Sequence, residues 1–185
     1  MKKIKWVVDP THSELGFKIK HLMISHVSGT FGEYEINMET ANEDLSTAQV
    51  EATIKAASVS TNNKQRDQHL QNVDFFEVEN HPEISFRSTR VEKLDPEQYI
   101  VYGDLTLKGI TKPVKLNVEY SGVTKDPWGG QRAGFTITGK IIRSEFGLSF
   151  NSVLETGGLA LSDEVKIHSE IQLVKQAANV AAITA

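Results

Sequence analysis

The stretch Leu15–Ile36 reads LGFKIKHLMISHVSGTFGEYEI, and the fold turns on it. It begins as strict two-residue alternation, with Leu15, Phe17 and Ile19 on one side and Lys18 and Lys20 on the other. Successive side chains of a strand point to opposite faces, so this period marks a β-strand with one buried face. The buried phase then reaches His21, and a second histidine follows at His26. The interior this strand faces, and the chemistry at its end, decide between a metal site, a catalytic site and neither.

Working outward, the same period recurs. Tyr34, Ile36 and Met38 alternate with Glu35 and Asn37, within a segment read as Gly32–Met38. Val50, Ala52 and Ile54 alternate with Glu51, Thr53 and Lys55. Further strands start at Ile84, Tyr99, Val114, Phe135 and Val165, which makes about eight. One-sided alternation favours antiparallel pairing, since parallel strands covered by helices are apolar on both faces. Short turns such as Leu94–Glu97 and Lys108–Pro113 agree. A longer loop, Lys125–Gln131, carries Trp128, suited either to packing the turn or to an entrance.

The polar segment Asn62–Asn72 is read as one short surface helix, with Asn62 and Gln65 as its capping box. The domain is expected to span residues 1–175, followed by an Ala-rich tail, 176–185, with no assigned function. The expected fold class is all-β, a barrel or a two-sheet sandwich; barrel closure removes exposed edges from so many long strands.

Composition narrows the function. A chain of 185 residues suits one domain with a sizeable core. Its net charge of −4 argues against a nucleic-acid partner, which calls for a basic stripe. With no cysteine, disulfides, thiolate metal sites and cysteine nucleophiles are excluded. Asp9 and Pro10 interrupt the N-terminal apolar residues before an export leader could form, so cytoplasmic residence is the expectation.

The inward phases are aliphatic and aromatic but interrupted by Ala52, Ala56, Ser88, Gly103, Gly139 and Ser169. Small inward residues either accommodate large neighbours or leave an apolar cavity for a ligand. The pattern alone favours the former.

Several separated motifs bear on this choice. WVVDPTHS at Trp6–Ser13, FKIKHL at Phe17–Leu22 and VSGTF at Val27–Phe31 open the chain. RDQHL at Arg66–Leu70, Phe75-Phe76, and PEISFRS at Pro82–Ser88 follow, then GDLTLKG at Gly103–Gly109 and RSEFGL at Arg143–Leu148. In order and spacing, from Trp6 to Val174, the chain resembles the YceI-like family. The resemblance implies a lipocalin-like antiparallel β-barrel of about eight strands enclosing a polyisoprenoid or similar long-chain lipid. It implies ligand binding without a shared catalytic reaction. Many family members are exported, and from these the chain is expected to depart.

On that reading the lipid contacts are the inward residues Phe17, Ile19, Ile54, Phe86, Leu105, Phe135 and Ile137. Phe146 and Leu148 would cover one barrel end. Phe31 lies off the apolar phase of its strand and joins by resemblance, which requires a bulge or a strand-start position. His21, Arg66 and His69 are the expected rim or head-group residues. The expected ligand is a long-chain isoprenoid, polyisoprenoid or quinone; a fatty acid or fatty amide is the alternative. No other cofactor is expected, and transient membrane contact and a homodimer are further expectations.

The six histidines form no H-x-x-x-H, H-x-H or HExxH pattern, so no metal is expected. No G-x-S-x-G elbow or phosphate loop is present. The enzyme alternative is a lipid-modifying site in which His21, Asp67 and His69 converge. Asp67 and His69 are two apart, which on a helix turns them away from each other. A third reading is a solidly packed barrel that works through its surface.

Overall fold

The computed structural model describes residues 2–152, 154–155 and 160–177. Among these, eleven strands form one antiparallel sheet. They are β1 (Lys3–Val8), β2 (Glu14–His21), β3 (Ser25–Phe31), β4 (Tyr34–Ala41), β5 (Asp44–Lys55) and β6 (Val59–Ser60), then β7 (Glu83–Lys93), β8 (Gln98–Leu107), β9 (Ile110–Lys125), β10 (Gln131–Ile142) and β11 (Leu161–Lys175). One helix, α1 (Lys64–Gln71), lies between β6 and β7. Eight strands run β1-β4-β5-β7-β8-β9-β10-β11, and pairing of β1 with β11 closes the ring. The chain is a closed barrel, and the sandwich alternative falls away.

Three strands exceed the eight read from alternation: β1, β3 and β6. The long β11 explains how they fit. Its C-terminal end pairs with β1, Val8 opposite Leu173, and the rest pairs with β2, from Glu14–Glu170 to His21–Leu161. β1 and β2 therefore act as one wall strand broken by the turn Pro10–His12. Pro10 suits the first turn position, and the Asp9 carboxylate caps it by accepting from the Thr11 N–H at 3.0 Å. Arg132 on β10 donates to both Asp9 and Gln172, tying the kink to the barrel.

Hydrogen bonds from Thr11, Arg132 and His12 hold the Asp9 carboxyl well below the ordinary aspartate range. A depressed folded-state pKa supplies stability above the ordinary value of about 4, lost as pH falls below it. Asp9→Asn is therefore expected to lower the urea midpoint at neutral pH. The gap to the wild type should narrow in acid, because only the wild type has this contribution to lose.

β2 and β3 form a hairpin whose tip is Leu22-Met23-Ile24, with His21 opposite Ser25. Leu22 and Met23 both adopt left-handed backbone, φ 54° and 61°. Such conformations suit Asn and Gly, and cost other residues roughly 1–2 kcal/mol each.

Between β3 and β4, Gly32 and Glu33 interrupt the strand and shift its phase. Val27, Gly29 and Phe31 are in step before the break, and Tyr34, Ile36 and Met38 after it. Phe31 is thereby in phase within its own strand. The expected start of the second segment at Gly32 moves to Tyr34 for the same reason.

The helix cap also moves by one residue. Asn63, not Asn62, accepts from the Arg66 N–H at 3.0 Å, while Asn62 turns left-handed at φ 60°. The choice follows from Thr61. Its N–H and hydroxyl donate to the Asp67 carboxylate at 2.8 and 2.6 Å, and Arg66 donates to its hydroxyl and carbonyl oxygens at 2.7 and 2.8 Å. This clamp sets where the helix starts. Of the expected tail, residues 178–185 lie outside the described residues.

One end of the barrel is packed. Ile4, Trp6, Val8, Ile36, Met38 and Tyr99 belong to a core cluster there, on β1, β4 and β8. Trp128 lies on the β9–β10 loop, where the Asp126 carboxylate holds the turn by accepting from the N–H groups of Trp128 and Gly130. Its side chain is exposed and forms no part of the cavity wall.

Candidate functional site

The barrel is hollow. A cavity of about 510 Å³ extends from the packed layer at Met38, Tyr99 and Leu173 to α1 at the other end. That volume lies within the ordinary range for small-molecule sites. β2 and β3 contribute Phe17, Ile19 and Phe31 to the wall, and β5 and β7 contribute Ile54 and Phe86. β8 and β10 add Leu105, Phe135 and Ile137, and Leu148 follows the turn after β10. Phe146 alone among the expected contacts is not in the wall. It is 1% exposed and packs with Ile54, Ala56, Ile84, Leu107 and Leu148 in a second core cluster.

Two glycines explain how large inward rings leave space. A Cβ on Gly29 would come within 2.3 Å of the Phe17 ring, its cross-strand partner, and one on Gly103 within 2.4 Å of the Phe86 ring. Each ring thus lies against backbone instead of projecting across the barrel. Small inward residues here do both things anticipated: they accommodate neighbours, and the cavity remains. Ser88 and Ser169 have another task, accepting from the N–H groups of Val50 and Gly16 at 2.8 and 3.1 Å.

The end nearest α1 is the mouth, because its residues meet both cavity and water. His69 and Phe150 line the cavity, yet their exposures are 40% for the His69 side chain and 37% for Phe150. Aromatic contacts hold the mouth together. The His69 ring meets Phe75 and Phe150 edge-on, with centroids 5.0 and 4.9 Å away. Phe31 sits between Phe17 and Phe76, at 5.6 and 5.8 Å, joining barrel wall to loop.

Arg143 supports the other side of the mouth. It is 4% exposed, and its guanidinium donates to the carbonyls of Ser162, Leu148 and Phe150 at 2.9, 2.6 and 2.9 Å. Burial pushes its pKa below the ordinary arginine value, opposed by Asp163, and a guanidinium so placed stays charged. The cation thus staples Leu148–Phe150 to the start of β11.

His21, Arg66 and His69, the expected rim residues, all lie at this mouth. With Arg143 they are the basic residues of the wall, and no carboxylate lines it among the described residues. The anticipated convergence of His21, Asp67 and His69 is not how the bonds run. Asp67 accepts from Thr61, and the His69 Nε2 lies 2.9 Å from the Asp74 carboxylate. Among the described residues no cluster of three or more His, Asp or Glu is arranged to hold a metal.

Sequence reading missed Phe75, Phe76, Phe150 and Arg143 as parts of the wall. The adjacent phenylalanines in an otherwise polar connection were the available signal.

Comparison with known proteins agrees with this architecture. The model of the YceI-like domain matches residues 6–173. A UPF0312 protein of Staphylococcus epidermidis is 38% identical over 169 residues, covering 91% of this chain and 96% of that protein. The crystal structure of a Campylobacter jejuni YCEI protein superposes with a TM-score of 0.75 at 34% identity, covering 85% of this chain and 90% of that one. A polyisoprenoid binding domain from Saccharophagus degradans shares the fold, with a TM-score of 0.62 at 15% identity over 94% of this chain and 98% of its own. From the last residues of β1 to nearly the end of β11, this chain belongs to the YceI-like family.

Proposed function

We propose that the protein binds one long-chain isoprenoid lipid inside the barrel and carries or sequesters it without chemical change. The observation that supports this reading most is a continuous apolar cavity whose basic groups gather at one end. A methyl-branched hydrocarbon would be held by burial alone, at roughly 25 cal/mol per Å² of apolar surface. A few hundred Å² would supply several kcal/mol before association costs are subtracted. Chain length and shape would then set specificity. His21, Arg66, His69 and Arg143 can donate hydrogen bonds, which suits a head group that accepts them, such as a quinone carbonyl or a phosphate. The polyisoprenoid binding domain with the same fold is consistent with this ligand class.

A straight-chain fatty acid or fatty amide is the second reading, favoured by the same lack of carboxylates at the mouth. Titrating lipid-free protein with isoprenoid alcohols of increasing length separates the two. Affinity should rise roughly tenfold or more per added isoprene unit until the cavity is full, each tenfold being about 1.4 kcal/mol. A fatty acid of matched length should bind more weakly. Affinity independent of chain length would contradict the proposal.

A further inference from the structure

We propose that the β2–β3 hairpin tip docks the mouth of the barrel onto an anionic phospholipid bilayer. The inference rests on the lipid-binding reading and adds the surface from which the lipid is drawn or to which it is delivered.

Three observations carry it. The tip is Leu22-Met23-Ile24, and these side chains are 39%, 62% and 84% exposed. Met23 and Ile24 lie largely in water, outside either core cluster, and Leu22 and Met23 occupy left-handed backbone that Asn and Gly would adopt without strain.

The tip is also joined to the mouth. His21, immediately before it, lines the cavity, and the Leu22 N–H donates to the carbonyl of Ala160, another wall residue, at 2.8 Å. A hydrocarbon tail leaving the bilayer beside this tip would meet the cavity without crossing open water.

Thirdly, the surface behind the tip carries the complementary charge. Lys18, Lys20, His26 and Lys166 line a depression that includes Met23. Its carboxylates have other contacts: Asp163 accepts from the N–H and hydroxyl of Ser144, and Glu164 lies 4.0 Å from Lys140. Among the described residues none of Lys18, Lys20 and Lys166 lies within ion-pair distance of a carboxylate. Apolar insertion combined with nearby lysines is the combination that holds proteins to anionic interfaces, even where net charge is negative.

The test is flotation of lipid-free protein with phosphatidylcholine vesicles, with and without phosphatidylglycerol. The wild type should bind the anionic vesicles, and high salt should weaken binding several-fold. The variant Leu22→Asn/Met23→Gly/Ile24→Ser should bind roughly tenfold less or worse. Its melting temperature should be unchanged or higher, because Asn and Gly relieve the turn, so lost binding cannot be ascribed to misfolding. Lys18→Gln/Lys20→Gln/Lys166→Gln should lose the preference for anionic vesicles. No vesicle binding by the wild type, or equal binding by the tip variant, would overturn the proposal. So would a dimer, seen by sedimentation, that the tip variant abolishes while vesicles go unbound, since the tip would then seat a second copy. Lipid content measured by native mass spectrometry keeps the two ideas separate: vesicle docking by a protein that never takes up isoprenoid sustains the docking site and removes the cargo reading.

Discussion

Arg143→Ala is expected to destabilise the barrel by about 3–5 kcal/mol, read as a fall in urea midpoint. Three carbonyls, those of Leu148, Phe150 and Ser162, lose their donor at once. Each unmet buried acceptor costs about 1–3 kcal/mol, and the lower part of the summed range applies because Phe150 is partly exposed and water can reach it. Arg143→Lys should recover only part of the loss. An ammonium presents a compact charge, whereas the guanidinium reaches three acceptors from one planar fork. Both variants should also release bound lipid faster, because Leu148, Phe150 and Leu161 belong to the cavity wall. Wild-type stability in Arg143→Ala would show that the mouth segment holds itself in place.

The second large effect concerns capacity. Ala52 lies on β5 between Ile36 and Phe86 on the neighbouring strands and lines the cavity. Ala52→Trp should place an indole across the middle of the space and weaken isoprenoid binding by roughly a hundredfold or more, about 3 kcal/mol. The lipid-free variant should melt no lower than the lipid-free wild type. Empty apolar volume costs on the order of 24 cal/mol per Å³, so filling it offsets strain from the larger ring. Undiminished binding by a folded Ala52→Trp protein would place the ligand outside the barrel.

The legibility of this chain differs from place to place for physical reasons. Alternation in β5, β7 and β10 exposes their inward residues because each strand has one buried face, so Ile54, Phe86 and Ile137 could be named in advance. β3 escaped because one of its inward positions is Gly29, whose space belongs to the Phe17 ring across the ladder. Its inwardness is a property of the partner strand and leaves no apolar trace in its own sequence. Phe31 needed the break at Gly32 and Glu33 before its phase made sense. β1 does alternate, with Ile4, Trp6 and Val8 buried, but it is short and starts among lysines.

The mouth was less legible still. Phe75, Phe76 and Phe150 stand in segments without a period, where no pattern says which way a ring faces. Arg143 bonds to carbonyl oxygens, which every residue has, so no partner identity marks it as buried. Phe146 is expected, with Leu148, to cover one barrel end where the chain leaves a strand; the short turn after β10 aims it into the second core cluster instead. The proposed catalytic grouping failed on a local preference. Asp67 sits one helical turn from its cap, within reach of the Thr61 N–H and hydroxyl, and those bonds hold it in place.

On the proposed function, the hollow of the barrel holds an isoprenoid chain. Native mass spectrometry of gently purified protein, followed by solvent extraction, tests it most directly. One equivalent of a lipid whose fragments step by isoprene units, absent from Ala52→Trp prepared in parallel, is the predicted result. A wild-type protein that is reproducibly empty, and that takes up no isoprenoid when offered it, would contradict the account.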